Sequence, residues 1–376
     1  MEQGNEGPSE NRPAVRIAQF SDCYLPRING VCTSIQQLQQ GLTEAGHEVR
    51  LYVPNYPGTP PDPSIVRLTS FYIPIQPEDR CAIPWPWDNF QPDVIHVHTP
   101  FSVGMLGWAV ARRRKIPLVF THHTLWEEYA HYLKVMPLSW AQKVGKGICN
   151  FFFTRSDAIV MPSHQIAEQL VGTRVQKPHR VIPTGISLDD FSGGQPPEAD
   201  PYFLYIGRMG KEKSVDALLR AYADYCQRGG GRNFWLVGGG LELESLKKLA
   251  GELGLGERVR FTGYQPRENL KNYLAGACLF LFASQTETQG LVLIEAAAAE
   301  VPVLAVRASG VNEAVEHNRA GWLVDGHEQL AQALWEMDEP TLERLRANCR
   351  AWAERFSVQE MARQMVELYQ ALGGRK

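Results

Sequence analysis

From Val15 onward the chain alternates two hydrophobic periods. Short runs of β-branched and other apolar residues, such as Val15 to Phe20, give way to a turn bearing Gly or Pro, then to apolar residues at helical spacing, as in Val31 to Ala45. That order predicts βαβ units and a parallel sheet. Further strand-like runs are Glu48 to Val53, Val94 to Val97, Leu118 to Thr121 and Ala158 to Met161, each followed by polar, His or Pro residues. Ligands of open parallel sheets bind beyond the carboxyl ends of the strands, so chemistry is expected at those polar ends. The segment Pro54 to Pro92 is Pro-rich, carries Trp85 and Trp87 and keeps no steady period, which predicts an irregular excursion.

After Pro183-Thr184-Gly185, the polar stretch Asp189 to Pro201 has the composition of a linker. A second series follows, with strands expected at Tyr202 to Ile206, Phe234 to Val237, Val259 to Phe261, Leu279 to Ala283 and Val303 to Val306. Helices are expected at Val215 to Gln227, Leu241 to Leu253, Arg267 to Ala275 and Leu291 to Glu300. Val358 to Leu372 reads as a terminal amphipathic helix. The pattern therefore predicts an α/β protein with domains at 13–188 and 189–356 and a final helix at 357–376. A length of 376 residues suits two domains, each with its own core.

Composition narrows the function. With 38 basic and 41 acidic residues the formal charge is -3, which gives no reason to expect a nucleic-acid partner. The seven cysteines show no zinc or disulfide spacing, so a reducing, cytoplasmic setting is expected. Met1 to Pro13 lacks the pattern of a secretory signal and no apolar run approaches the ~18 residues of a membrane span, so the protein is expected to be neither exported nor integral.

Candidate chemistry concentrates at strand ends. Ser284 to Glu295 reads as a polar turn with Gly290 opening a helix, whose free N–H groups suit a diphosphate. Glu287 in the turn and Glu295 in the helix suit sugar hydroxyls, although Glu295 alone reads equally as a paired group on a solvated helix face. Gly207-Arg208-Met209-Gly210-Lys211-Glu212-Lys213 brings Arg208 and Lys213 to phosphates, or forms only a solvated basic loop. Gly238-Gly239-Gly240 reads as a tight turn that lets strand and helix pack. In the first half, Asn29-Gly30-Val31 opens a helix. His96 and His98 end one strand, and His122 and His123 end the next. Four imidazoles there raise zinc as an alternative to hydrogen-bonding histidines, but no cysteine or carboxylate stands at ligand spacing beside them. No Asp-x-Asp pair is present to hold a divalent ion.

Taken together, these residues resemble the retaining glycosyltransferases of family four, whose GT-B fold pairs two facing Rossmann-like domains across an interdomain cleft, with a C-terminal helix crossing back to the first. Glu287 and Glu295, seven residues between them, resemble the family signature, and Gly207-Arg208 with Glu212-Lys213 resembles its phosphate loop. The resemblance implies a donor site in which Arg208 and Lys213 grip the diphosphate and Glu295 the ribose. Glu287, with the backbone of Gln289, Gly290, Leu291 and Val292, would hold the sugar. Tyr264 sits where the family places the base, Gly30 would lend its N–H to a phosphate, and His123 would touch the sugar. Glu287 and His123 are the catalytic candidates. No cofactor and no metal are implied beyond a UDP- or GDP-linked sugar as substrate.

A narrower resemblance, to diacylglycerol glucosyltransferases and related mannosyltransferases, lies in Phe20 to Pro26 running into Asn29-Gly30-Val31, in His98 to Ser102, and in Thr121 to Tyr132. It marks Asp22, Tyr24, Tyr129 and His131 on the acceptor side, and implies a lipid or small-molecule acceptor. Pro100 and His122 depart from its pattern. Between Glu128 and Asp157 no acidic residue occurs, while Lys134, Lys143, Lys146 and Arg155 accompany Trp140, Ile148 and Phe151-Phe152-Phe153. That stretch, extended by Arg112 to Lys115, reads as a peripheral dock on an anionic membrane surface, at the inner face of the cell membrane, or as a helix whose apolar side packs within the first domain. A two-lobed sugar-binding protein without catalysis is the non-enzymic alternative.

Overall fold

Strands Val94–Val97, Leu118–Thr121 and Ala158–Met161 are buried along their whole length, as a parallel sheet with helices on both faces requires. The computed structural model describes residues 13–27, 29–73, 76–83, 88–123, 138–168 and 178–373. It divides into two units. One comprises Met1–Met161, Arg174–Arg180 and Ala362–Lys376, and the other Pro162–Thr173 and Val181–Met361.

In the first unit β1 (Arg16–Phe20), β2 (Glu48–Pro54), β3 (Ile65–Leu68), β6 (Val94–Val97), β7 (Leu118–Thr121), β8 (Ala158–Met161) and β9 (His179–Val181) form one sheet in the order β3-β2-β1-β6-β7-β8-β9. The pairings from β3 to β8 are parallel. The chain between Pro54 and Pro92, expected to be irregular, instead adds β3 to the sheet edge and then forms an antiparallel ribbon of β4 (Ser70–Ile73) and β5 (Gln76–Ala82). Two of these strands have only four residues and the ribbon exposes Phe71 and Tyr72, so no alternation betrays them. Helices α1 (Gly30–Glu44), α2 (Ser102–Arg114) and α3 (Leu138–Arg155) follow strands β1, β6 and β7.

After the short α4 (His164–Glu168), the second unit forms a sheet in the order β12-β11-β10-β13-β14-β15, all parallel. Its strands are β10 (Tyr202–Ile206), β11 (Phe234–Val237), β12 (Val259–Gly263), β13 (Ala277–Phe282), β14 (Val303–Val306) and β15 (Gly321–Val324). Helices α5 (Val215–Gln227), α6 (Leu243–Glu252), α7 (Leu270–Ala275), α8 (Leu291–Ala298), α9 (Ser309–Ala314), α10 (Leu330–Glu336) and α11 (Glu339–Ala353) belong to it. The last helix, α12 (Val358–Gly373), begins in this unit, and from Ala362 it belongs to the first.

Chain order reverses direction once in each sheet, at β1/β6 and at β10/β13. Such a reversal opens a crevice beyond the strand ends. Helix α2 lies directly on the first of these points. A Cβ built on Gly107 would come within 2.8 Å of Phe20 and Val97, and one on Gly104 within 1.9 Å of the Thr99 carbonyl oxygen. Gly104→Ala forces a methyl into fixed backbone and should cost about 2–3 kcal/mol. Gly147→Ala, in open space on α3, should be neutral or gain up to about 1 kcal/mol. Urea unfolding of both variants tests this, and equal stabilities would contradict the packing.

Candidate active site

At the β10/β13 reversal, the loop after β10 and the turn after β13 meet. Lys211–Lys213 forms one 3-10 turn, with Ser214 in the left-handed region behind it. Lys213 Nζ donates to Glu287 Oε1 in an ion pair whose side chains are only 19% and 17% exposed. Ser284 Oγ ties the two segments again by donating to the Glu212 carbonyl at 3.2 Å. Arg208 is largely exposed and donates to Glu212 at 2.8 Å. Lys213 and Arg208 thus each rest on a carboxylate of these segments, Lys213 mostly covered and Arg208 exposed to solvent.

Gly238-Gly239-Gly240 serves this loop. Met209 N–H donates to the Gly239 carbonyl at 2.8 Å and Gly207 N–H to the Val237 carbonyl at 3.0 Å. Gly238 and Gly240 have φ of +136° and +154°, and a Cβ on either would meet the carbonyl oxygen of Gly207 or Met209 at 2.0 or 2.3 Å. Only glycine lets the turn lie against the loop that carries Arg208.

The turn before α8 is equally constrained. Gly290, at φ +68°, is the N-cap of α8 and supplies no side-chain cap, so the first N–H groups of the helix, from Leu291 and Val292, face the turn uncapped. The Gln289 amide is spent on Thr184, donating to its carbonyl at 2.9 Å and accepting from its N–H at 3.0 Å. What Gln289 offers at the turn is its backbone. Gly310 of α9 supports the other side, where a Cβ would come within 2.3 Å of the Glu287 carbonyl oxygen.

Glu295 does not lie on a solvated helix face. It is 7% exposed, and Oε1 accepts from Arg267 Nη2 at 2.8 Å. Burial raises its carboxyl above the ordinary value, and Arg267 opposes that rise. Arg267, whose guanidinium also lies 5.4 Å from the Phe191 ring centre, is the residue that sequence reasoning missed. Its signal was a basic residue shortly after the carboxyl end of β12. Tyr264, at that same strand end, is 78% exposed.

In the first unit, the β1/β6 reversal holds Asp22. Its Oδ1 accepts from Val103 N–H at 2.7 Å and Ser102 Oγ at 2.8 Å, while Oδ2 accepts from Thr99 Oγ1 at 2.8 Å and Phe101 N–H at 3.2 Å. Burial raises this carboxyl, and those hydrogen bonds limit the rise. Asp22 thus caps the N-terminus of α2 from the neighbouring strand end. Tyr24 is buried, with its hydroxyl donating to Gln39 at 3.0 Å. The Asp22 carboxylate and the Tyr24 hydroxyl are thus each engaged within the first unit, Asp22 at the start of α2 and Tyr24 on α1. Gly30 opens α1, with Asn29 Oδ1 accepting from Cys32 N–H at 2.8 Å. A Cβ on Gly30 would meet nothing within 4 Å, so local packing does not require glycine there. Tyr129 and His131 lie outside the described residues.

The histidines form a chain. His96 Nδ1 lies 2.7 Å from the Tyr369 hydroxyl on α12 and its Nε2 2.6 Å from Thr121 Oγ1. Its ring lies 4.1 Å from that of His98, whose Nδ1 is 3.2 Å from His123 Nε2. His122 turns instead toward Phe153, ring centres 5.1 Å apart. His123 is therefore the member of the pair that joins the polar cluster. Burial, reinforced by neighbouring imidazoles, lowers His96 and His123 to about 3 and His98 well below its ordinary value. Among the described residues no three His, Cys, Asp or Glu side chains are arranged to hold a metal ion.

The cationic stretch is part core, part surface. Phe152 and Phe153 are fully buried, Phe152 stacking on Phe120 at 4.8 Å, while Phe151 packs edge-on against Trp108 at 4.9 Å. The Phe run is thus interior packing rather than a membrane anchor. Lys143, Lys146, Arg112, Arg113 and Arg155 are exposed. A cavity of about 510 Å³ at the amino-terminal ends of β7 and β8 is lined by Trp108, Arg112, Lys115, Arg155, Asp157 and Leu372 among others. Lys134 lies outside the described residues, and no described helix is long and apolar enough to cross a membrane.

Residues 28–190 match the family described as Glycosyltransferase Family 4, and residues 189–352 match Glycosyl transferases group 1. The chain is 30% identical over 348 residues to an alpha-monoglucosyldiacylglycerol synthase of Acholeplasma laidlawii, covering 85% of this chain and 87% of the relative. It is 33% identical over 303 residues to a D-inositol 3-phosphate glycosyltransferase of Nocardia farcinica, covering 74% and 66%. Among solved structures, a sucrose-phosphate synthase from Thermosynechococcus elongatus superposes with a TM-score of 0.72 over 96% of this chain and all of that one, at 23% identity, a likeness of fold.

The buried histidines make stability depend on pH. Their folded values lie below the unfolded value near 6.5, so the unfolded chain binds more protons as pH falls, and stability present above about pH 6.5 is lost toward pH 3. Each should contribute a slope approaching about 1.4 kcal/mol per pH unit once pH is below the unfolded value. Urea unfolding between pH 7 and 5, a window above most carboxylate titration, should show stability falling with pH. A flat profile would mean that His96 and His98 are not held neutral inside the fold.

Proposed function

The chain belongs to the glycosyltransferases of family four, and from that membership we propose that it moves a hexose from a UDP- or GDP-sugar to a lipid acceptor such as diacylglycerol, with retention of anomeric configuration and without a metal. The observation that carries the donor reading is the Lys213–Glu287 ion pair joining the loops at the β10/β13 reversal. A diphosphate draws Lys213 away from Glu287, and Arg208 swings in from solvent. The freed Glu287 takes sugar hydroxyls, beside the backbone of Gln289, Gly290, Leu291 and Val292 at the positive end of α8. Arg267 holds the buried Glu295 in place to accept from the ribose, and exposed Tyr264 receives the base. By the family resemblance, Gly30 and His123 are read as donor contacts as well. Charge on the departing diphosphate is the quantity to be stabilised, and a phosphate oxygen of that leaving group accepts the acceptor hydroxyl proton, so no protein nucleophile is needed.

The lipid acceptor is supported by the relative named for a glucosylated diacylglycerol and by helices α2 and α3, which carry cations and no acidic residue. Exposed cations near an anionic surface contribute about 1 kcal/mol each, enough together for reversible peripheral binding at the cytoplasmic face of a membrane. A second reading, a soluble acceptor and a mannosyl or other hexosyl donor, is favoured by the inositol-phosphate relative.

The deciding experiment crosses UDP- and GDP-hexoses with diacylglycerol in neutral or anionic vesicles and with soluble polyols, in EDTA, identifying products by mass and vesicle binding by flotation. A glycolipid, formed faster on anionic vesicles and more slowly once Lys143 and Lys146 are both Glu, is expected. Only water-soluble products would refute the lipid acceptor, and complete loss in EDTA restored by magnesium would refute the metal-free phosphate site.

Removing the Glu287 carboxylate should separate chemistry from nucleotide binding. Glu287→Ala should lower kcat about 100-fold or more, while free nucleoside diphosphate binds as well as before or more tightly because Lys213 has lost its competitor. Calorimetry and steady-state kinetics measure both, and near-normal turnover would show the site to be misassigned.

A further inference from the structure

His123 follows the carboxyl end of β7, and one of its ring nitrogens already has a partner. Nε2 faces His98 Nδ1 at 3.2 Å, so one of the two nitrogens carries the proton and the other accepts it. Which way this bond runs decides what His123 shows on its other side. If His123 donates, His98 must carry its own proton on Nε2. That nitrogen is buried and meets no hydrogen-bond partner among the described residues. An orphaned buried N–H is rarer and costlier than an under-used acceptor, so the proton of His98 belongs on Nδ1. His123 then accepts at Nε2 and carries its proton on Nδ1.

The surroundings keep His98 from escaping this choice by taking a second proton. His96 lies against it at 4.1 Å between ring centres, and both nitrogens of His96 are held by hydroxyls, one from Thr121 at the end of β7 and one from Tyr369 on the last helix. An imidazolium at His98 would sit fully buried among neutral rings without a carboxylate among its described hydrogen-bond and ring partners.

We propose that His98 is a positioning residue that fixes His123 as the neutral Nδ1–H tautomer, so that His123 presents a hydrogen-bond donor, and not a base, to an oxygen of the donor sugar. This rests on the reading of His123 as the sugar-contacting histidine. It assigns no proton transfer to His123, in keeping with removal of the acceptor proton by the leaving phosphate.

The test pairs a structural with a kinetic measurement. In full-length protein labelled with 15N-histidine, His123 should show a protonated Nδ1 and a bare Nε2. In His98→Leu the signal should move toward the Nε2–H form, and kcat should fall on the order of 100-fold, the scale of a misplaced contact, with KM for the nucleotide sugar within about twofold. In His98→Asn, whose amide N–H can take the place of Nδ1–H, both the tautomer and most of the rate should return. An Nε2–H tautomer in the unaltered protein overturns the proposal, and so does His98→Leu with normal kcat, or Leu and Asn variants equally impaired. If His98→Leu does not fold, the tautomer of the unaltered protein and the Asn variant still decide. If no sugar transfer is found at all, the tautomer measurement stands independently, which separates failure of this proposal from failure of the glycosyltransferase reading.

Discussion

A parallel sheet covered by helices on both faces leaves one place for polar chemistry, the ends of its strands. Most strand centres here are apolar and buried, so a charged group there would have to leave water without compensation. At the carboxyl ends the chain turns, backbone N–H groups become available, and helices begin with their positive ends toward the same edge. Where chain order reverses, two such ends lie side by side without a connection passing between them. Asp22 and Thr99 meet at one reversal, and Lys213 and Glu287 at the other.

The two carboxylates at these points differ in what they are free to do. Asp22 accepts from backbone N–H groups and hydroxyls on both oxygens, all delivered by the start of α2 and the residues before it. Displacing it would leave several buried donors unpaired, so its hold on the start of α2 is costly to release. Glu287 has a single strong partner, and that partner is a lysine on a flexible stem which can exchange a carboxylate for a phosphate without losing charge compensation. A pair of this kind holds both side chains in place before a ligand arrives and costs little to open once a stronger anion is present.

Much of this was legible in the chain. The core strands of both sheets were readable because they are buried on two faces and therefore largely apolar. The turn and helix start that carry Glu287 and Glu295 were readable from the polar residues and Gly290 before an apolar run. Gly30 and Gly290 announced helix starts. The misses have physical causes as well. Strands β3 and β4 are four residues long, too short to show a period. Arg267 and Glu295 meet only through the fold, although the apolar run from Leu291 to Ala299 around Glu295 already marks a buried helix. For Asp22, placed on the acceptor side by resemblance alone, the sequence shows nothing of its hydrogen-bond partners. Only the position of α2, fixed by Gly104 and Gly107 lying flat on β1 and β6, shows that its oxygens are already used.

The same principle governs the second unit, where glycine fixes the geometry of charged groups by what it omits. The Gly238–Gly240 turn touches no ligand candidate with a side chain, yet a single methyl at either end would overlap the backbone of the loop bearing Arg208. Gly310 stands in the same relation to Glu287. A phosphate or sugar site needs its donors placed to within a fraction of an ångström, and backbone packed against backbone supplies that rigidity better than side chains, which retain rotamers. Lys213 and Glu287 can then exchange partners because the segments that carry them are held from behind.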